Sequence, residues 1–363
     1  MKLQSKLLST LALAAVLSSS AFSQSKIEIP KDTKFLESGV CENQQMTGTC
    51  WSFSGMAFFQ AELNRMGKFK DLNLSEMFVV RNIYPLKGEN YVRMHGKANF
   101  GEGGEFTDDL LCLRQFGLVP QSAYSGLQGL NYNHEKMVKK LDSIVTTAAK
   151  SNGTLDTKWK TEFNKTLSQS LGDTPETFSY EGKTYSPKSF AEATGLKAND
   201  YVMISSFTHH PYYQKHVLEV PDNWNWEQVY NVPLAEITEI AKSAVEKGFP
   251  VAWGADVTGT FNAHLPLQQL QIKDGKELEV SPEMRQQSFD NYETQDDHAM
   301  LIVGLAKDNS GKEFFKVKNS WGTGIAAGEY FYASFPYVSM MTTCIMVHKD
   351  ALPKALKKKL NIS

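Results

Sequence analysis

The chain of 363 residues has little cysteine, almost no net charge and, beyond its first two dozen residues, no long apolar run. Each shortage excludes something. Four cysteines, at 41, 50, 112 and 344, are too few for an exported protein held together by disulfides. With Cys50 kept free for the reasons given below, at most one intramolecular bridge can form, and Cys41, Cys112 and Cys344 read first as small buried hydrophobes. A formal charge of −2, from 38 basic and 40 acidic residues, gives no field over the whole surface that would recruit nucleic acid or anionic membrane. After the N-terminus nothing approaches the roughly 18 uninterrupted apolar residues of a membrane span. What is present, 41% hydrophobic and 21% charged residues, suits a globular chain with a real core, as one large domain or two intimately packed ones.

The first 23 residues read as a leader. Lysines at 2 and 6 precede an apolar run from Leu7 to Val16, and small residues follow to Ala21-Phe22-Ser23. That order is a secretory signal with a small-x-small cleavage site before Gln24, so the mature protein is expected in a bacterial periplasm or secreted.

Three regions follow. Residues 24–124 open with an extended segment, 26–40. They continue with "CWSFSGMAFFQAELNRMGK", whose apolar positions repeat near helical period before Gly67. A short helix over 73–85 is expected to end at Pro85, and another is expected from about Thr107 to Gln115 behind the glycine loop "GEGGEF". Residues 125–200 are polar and lysine-rich with helical fragments, and read as an inserted helical subdomain. From 201 to 363 short apolar runs alternate with Gly, Asp and Asn turns, predicting an antiparallel sheet or barrel. A helical lobe joined without a flexible tether to a β lobe implies a cleft between them.

"NQQMTGTCWSFSG" places Cys50 at the start of a helix. A thiol of ordinary pKa near ~8.5 is mostly protonated at neutral pH, and a helix N-terminus with a nearby imidazolium favours the reactive thiolate. The histidine must come from elsewhere in the chain. "QDDHAMLIVG" offers His298 just before a strand, and "FFKVKNSWG" offers Asn319 at the end of the next, 21 positions on. An asparagine amide bonded to one imidazole nitrogen fixes the tautomer and aims the other nitrogen at sulfur. Gln44 adds a side-chain donor which, with the Cys50 backbone N–H, suits the oxyanion of a tetrahedral intermediate. A lone cysteine beside tryptophan is usually core; this company makes it a nucleophile.

"NQQMTGTCWSFSG", "DDHAMLIVG" and "KNSWG" together resemble the papain-like cysteine peptidases. "NQxxTGxCW", the 248-position interval from cysteine to histidine, "LGDTPETFSYEGKTYSPKSFAEA" and "GFPVAWGADVTGTFN" narrow the resemblance to the bleomycin hydrolase and aminopeptidase C branch, over about residues 40–360. The resemblance implies a two-lobed α+β fold with the active site between an N-terminal helical lobe and a C-terminal antiparallel β lobe. It implies peptide substrates, a thioester acyl-enzyme, no metal or organic cofactor, and assembly as a homo-oligomer, commonly a hexamer. By the same carry-over Cys50 is the nucleophile, His298 the general base and acid, Asn319 its orienting partner and Gln44 the oxyanion donor. Trp321 shields the Asn–His bond, while Gly103 and Gly104 receive the substrate backbone.

The branch's C-terminal arm, whose carboxylate meets a free substrate amine, has no counterpart after "HKDALPKALKKKLNIS", which leads to an expectation of endopeptidase action beside aminopeptidase action. Rival readings on the same scaffold are an amidase or acyl transferase, and an inactive peptide binder. His209, His210 and His216 in "FTHHPYYQKH" lack ligands at metal-site spacing and read as surface or packing residues. Lys357, Lys358 and Lys359 read as the solvated face of a terminal helix, with nucleic-acid binding the weaker alternative. Trp224 and Trp226 have no role legible in the sequence.

Overall fold

Helix α1, Cys50–Arg65, is buried on nearly every side. The expected single apolar stripe gives way to burial all round, including Ser52, Ser54, Gln60 and Glu62, because a sheet covers one flank and two further helices the other. It stops at Gly67, whose φ of +67° is the left-handed backbone that ends helices. These relations come from a computed structural model, which describes residues 28–362 apart from 128, 130 and 152–155. The leader, residues 1–23, lies outside the described residues.

Helix α2, Glu76–Arg93, starts at Ser75, whose hydroxyl accepts the Phe78 N–H at 3.0 Å. It runs straight through Pro85, eight residues beyond the predicted end. An interior proline costs about 3 kcal/mol through its missing N–H and ring clash. Here Val79, Val80 and Ile83 before it and Val92 after it are all buried in one core, so packing overrides the local preference. Helix α3, Phe106–Gln115, matches the predicted 107–115 closely. Residues 125–200 supply α4 (Glu135–Ala149), α5 (Lys158–Leu171), a two-stranded hairpin over 178–185 and α6 (Pro187–Thr194). Met137, Leu141, Val145, Phe163 and Leu167 of this region join the core formed by Phe58, Phe59 and Ile83.

The remainder supplies nine strands of a ten-stranded sheet. Across it the strands run 215–217, 228–231, 201–205, 342–348, 251–255, 298–307, 313–318, 330–334 and 267–268. Residues 31–35 pair with the end of 298–307, so the extended N-terminal segment is stitched into the sheet of the C-terminal half. The central pairings are antiparallel as expected, but 228–231 on 201–205 and 267–268 on 330–334 are parallel. One sheet face shares the core of the helical lobe; the other packs Ile204, Trp253, Met300 and Ile302 against α7 (Leu234–Glu246). Strand 298–307, central and buried over all but its last residue, carries His298 at its first position.

Candidate active site

One tether brings the Cys50 helix to the His298 strand. Ser54 Oγ, one turn into α1, donates to the carbonyl of Ala299 at 2.6 Å. Ala299 lines a cavity together with Cys50. His298, Gln44, Gly103 and Gly104 line the same cavity, of about 220 Å³.

The imidazole is held in one tautomer. Asn319 Nδ2 donates to Ala327 O at 2.7 Å, and its Oδ1 accepts the Ser320 N–H at 2.8 Å. The amide orientation is thereby fixed, so His298 Nε2 must carry the proton it donates to Asn319 Oδ1 at 2.8 Å. Nδ1 is left as the proton acceptor. Trp321 is stacked on the ring with centroids 4.7 Å apart, and Phe261 meets the indole edge-on. The indole is thus a cover for the His298–Asn319 bond, as the resemblance implies, and is not among the residues of the cavity wall. Cys41, free like the other three cysteines, donates its thiol to Asn319 O at 3.0 Å. Lys318 donates to the carbonyls of Ser38, Gly39 and Val40, fastening the segment that leads to Gln44.

Gln44 is anchored at both ends of its amide. Its Oε1 accepts from Ser320 Oγ at 2.6 Å, and one Nε2 hydrogen goes to Thr47 O at 2.7 Å. The second amide hydrogen is available to the cavity, as is the N–H of Cys50, which at the first position of α1 has no intrahelical acceptor. No acid occupies the first turn of α1, so the positive end of its dipole is not cancelled locally.

Burial weighs on the ionisation of both partners. Burial pushes the Cys50 thiol up to about 12, against the smaller effect of the Ala299 and Trp51 backbone bonds. Burial also pushes His298 down to about 4, with the Asn319 bond opposing it. Burial therefore disfavours either charge alone, and a charge on one partner is best balanced by the opposite charge on the other. The two charges arise together, by transfer of one proton between them.

The glycine loop is supported from below by residues whose role the sequence did not announce. Lys87 of α2, fully buried, donates to the carbonyls of Gly101 and Gly103. Glu102 accepts the Gly48 N–H at 2.8 Å with its carboxylate and the Trp51 indole N–H at 3.0 Å with its carbonyl. A Cβ on Gly104 would lie 2.6 Å from Asp108 Oδ2 and 2.9 Å from the Trp51 ring, so glycine is required there. Trp224 acquires a role: its indole N–H donates to Asp108 Oδ1 at 2.9 Å, holding the carboxylate beneath this loop. Trp226 is half exposed and has no comparable contact in the site.

His209, His210 and Glu219 do come together, with both Nε2 atoms on Glu219 Oε2 at 2.6 and 3.0 Å. Gln286 Oε1 accepts the Thr208 N–H, so its Nε2 must donate to His209 Nδ1 at 2.8 Å. That leaves the proton on His209 Nε2, which then donates to Glu219 and has no lone pair for a metal. Lys357 and Lys359 are engaged by Asp350 and Glu236 on the surface. Among the described residues no helix is long and apolar enough to cross a membrane.

The comparisons agree with this geometry. The profile of the Peptidase C1-like family matches residues 88–363, which include His298 and Asn319 and leave Gln44 and Cys50 outside. The chain is 23% identical to aminopeptidase C of Streptococcus thermophilus over 85% of its own length and 80% of the relative's. It is 24% identical to aminopeptidase C of Listeria monocytogenes over 88% and 82%. Among solved structures, PepW from Lactobacillus rhamnosis HN001 superposes with a TM-score of 0.75 at 20% identity, covering 92% of this chain and 85% of that one. A papain-like α+β fold and a match over three quarters of the sequence place the chain in the Peptidase C1-like family, as an aminopeptidase C-like cysteine peptidase.

Proposed function

We propose that Cys50, His298, Asn319 and Gln44 form the catalytic set of a thiol aminopeptidase that removes residues from the free N-terminus of peptides. The observation that carries this is the fixed tautomer of His298, which leaves Nδ1 as a base at the cavity shared with Cys50. As sulfur bonds to the scissile carbonyl carbon, the thiol proton passes to Nδ1, and the oxygen's new charge meets the N–H of Cys50 and the free Nε2 hydrogen of Gln44. The C–N bond then breaks, the leaving nitrogen taking the proton from His298, and a thioester remains. Water gives a proton to the same imidazole, attacks the thioester and restores the thiol. Gly103 and Gly104 offer the substrate backbone a wall without side chains.

The relatives named above are aminopeptidases, and this supports action on free amines; the expectation of internal cleavage finds no comparable support. The leader order in residues 1–23 supports export, with a periplasmic or secreted mature chain beginning near Gln24. The family resemblance supports a homo-oligomer, a hexamer, whose mass sedimentation velocity would read. The deciding experiment follows products of a free-amine peptide series and its N-acetylated counterparts by mass spectrometry. Stepwise loss of N-terminal residues from the free peptides alone is the expected result; internal fragments from both series would overturn it.

A further inference from the structure

The wall of the cleft beside Cys50 is acidic. Glu105, Asp222, Asp296 and Asp297 all line the cavity, and among the described lining residues there is no lysine or arginine. Lys87, a buried cation behind the glycine loop, has turned its ammonium to the Gly101 and Gly103 carbonyls. A row of acids alone would signify little, but one of these has a buried oxygen without a partner. Glu105 is 4% exposed; its Oε2 accepts the Cys344 thiol at 3.5 Å, while Oε1 has no hydrogen-bond partner. Asp296 faces it across the cavity, two residues before His298, and accepts Thr343 Oγ1 at 3.1 Å. Asp222 packs directly on the glycine loop, where a Cβ on Gly103 would fall 1.8 Å from its Oδ2, and accepts Asn99 Nδ2 at 2.8 Å. Asp297 accepts the Val257 N–H at 2.8 Å.

A carboxylate buried without a counter-charge is costly, and the cost disappears when a cation enters and bonds it. Burial raises the pKa of both Glu105 and Asp296. An ammonium entering the cavity would meet both carboxyl groups, including the Glu105 oxygen that has no partner. Gly254, which also lines the cavity, leaves room there: a Cβ would come within 3.0 Å of the Cys344 sulfur and of Thr343 Oγ1.

Resting on the cysteine-peptidase reading above, we propose that Glu105 and Asp296, aided by Asp222, form a specificity pocket for a substrate cation, either the free α-ammonium or a lysine or arginine side chain. The shared chemistry is a hydrogen-bonding cation held beside the scissile bond. These residues determine which peptide is positioned for attack and take no part in bond making.

The test compares kcat/KM for matched peptides in the full-length enzyme: free or N-acetylated, and with lysine or isosteric norleucine near the scissile bond. The wild type should prefer the cationic member of a pair at least tenfold, mainly through KM. If acetylation removes the preference, the α-ammonium is the occupant; if norleucine removes it, the side chain is. In Glu105→Gln/Asp296→Asn the preference should fall at least tenfold. Equal rates for cationic and neutral peptides, or a preference unchanged in the double variant, would overturn the proposal. Should that variant not fold, wild-type enzyme still decides. Relative to a free thiol, 2-aminoethyl methanethiosulfonate should modify Cys50 at least tenfold faster than methyl methanethiosulfonate, and equal relative rates would count against the pocket. Failure of the underlying reading looks different, since Cys50→Ala would then retain peptide hydrolysis whatever the charge preference.

Discussion

The two faces of the sheet are packed by different rules. On the far face Ile204, Trp253, Met300, Ile302 and Phe331 are fully buried, and the Trp253 indole N–H reaches Thr342 Oγ1 at 2.8 Å. On the other side, in the helical lobe, Glu76, Lys87, Glu105, Asp108 and Asp109 are buried. Among the described residues, every buried carboxylate oxygen that lacks a partner belongs to Glu76, Glu105 or Asp109. The far face follows the stability rule of apolar closeness. The cleft side departs from it where α1, α2 and α3 carry the nucleophile and the glycine loop, which is where a local loss of stability can serve binding and pKa control.

The contrast can be broken most severely at the nucleophile. Cys50→Ser should reduce peptide hydrolysis to background while leaving the thermal midpoint nearly unchanged, because a hydroxyl does not surrender its proton to His298 as a thiol does. Activity assay and calorimetry on one preparation check both halves. On the far face the effect should be reversed: Phe331→Ala should cost about 3–5 kcal/mol of stability, with kcat per folded molecule retained at low temperature. Gln44→Ala should lower kcat by roughly 10²–10³, the range for one oxyanion donor. Steady-state kinetics reads it, and an unchanged kcat would remove Gln44 from the site.

The smallest effect concerns a buried acid. Burial raises Glu76 to about 8, so the folded state holds a proton that the unfolded state, at the ordinary 4.5, releases sooner. Its contribution to stability is complete below about pH 4.5 and is lost as pH rises towards 8. Glu76→Gln, which stays neutral, should therefore melt higher than wild type at pH 8, by an advantage on the order of 1–3 kcal/mol, and should lose that advantage at pH 4.5. Melting curves across this range decide the sign.

The meeting of Gln44, Cys50, His298 and Asn319 was legible in the sequence because these residues keep chain order and sit in recognisable local settings. Cys50 opens an apolar helix, His298 opens a strand, and Asn319 closes the next. The helix over 106–115 was readable from its loop and periodicity; the passage of α2 through Pro85 was not, because tertiary packing decides it. The acidic wall was illegible for a similar reason. Glu105, Asp222 and Asp296 lie on three separate segments, and each alone looks like a solvated surface acid. The only local hint was "DDHAM", two acids directly before the histidine strand. The burial that weighs against charge on Cys50 and on His298 is likewise contributed by the whole lobe.

The account turns on Cys50 as the reacting atom, and one labelling measurement addresses it directly. The enzyme is treated with a peptidyl chloromethyl ketone and digested, and each cysteine is mapped by mass spectrometry. The account predicts one adduct, on Cys50, with Cys41, Cys112 and Cys344 unmodified and the adduct lost in His298→Ala. Labelling on another cysteine, or labelling of Cys50 at the same rate without His298, would contradict it.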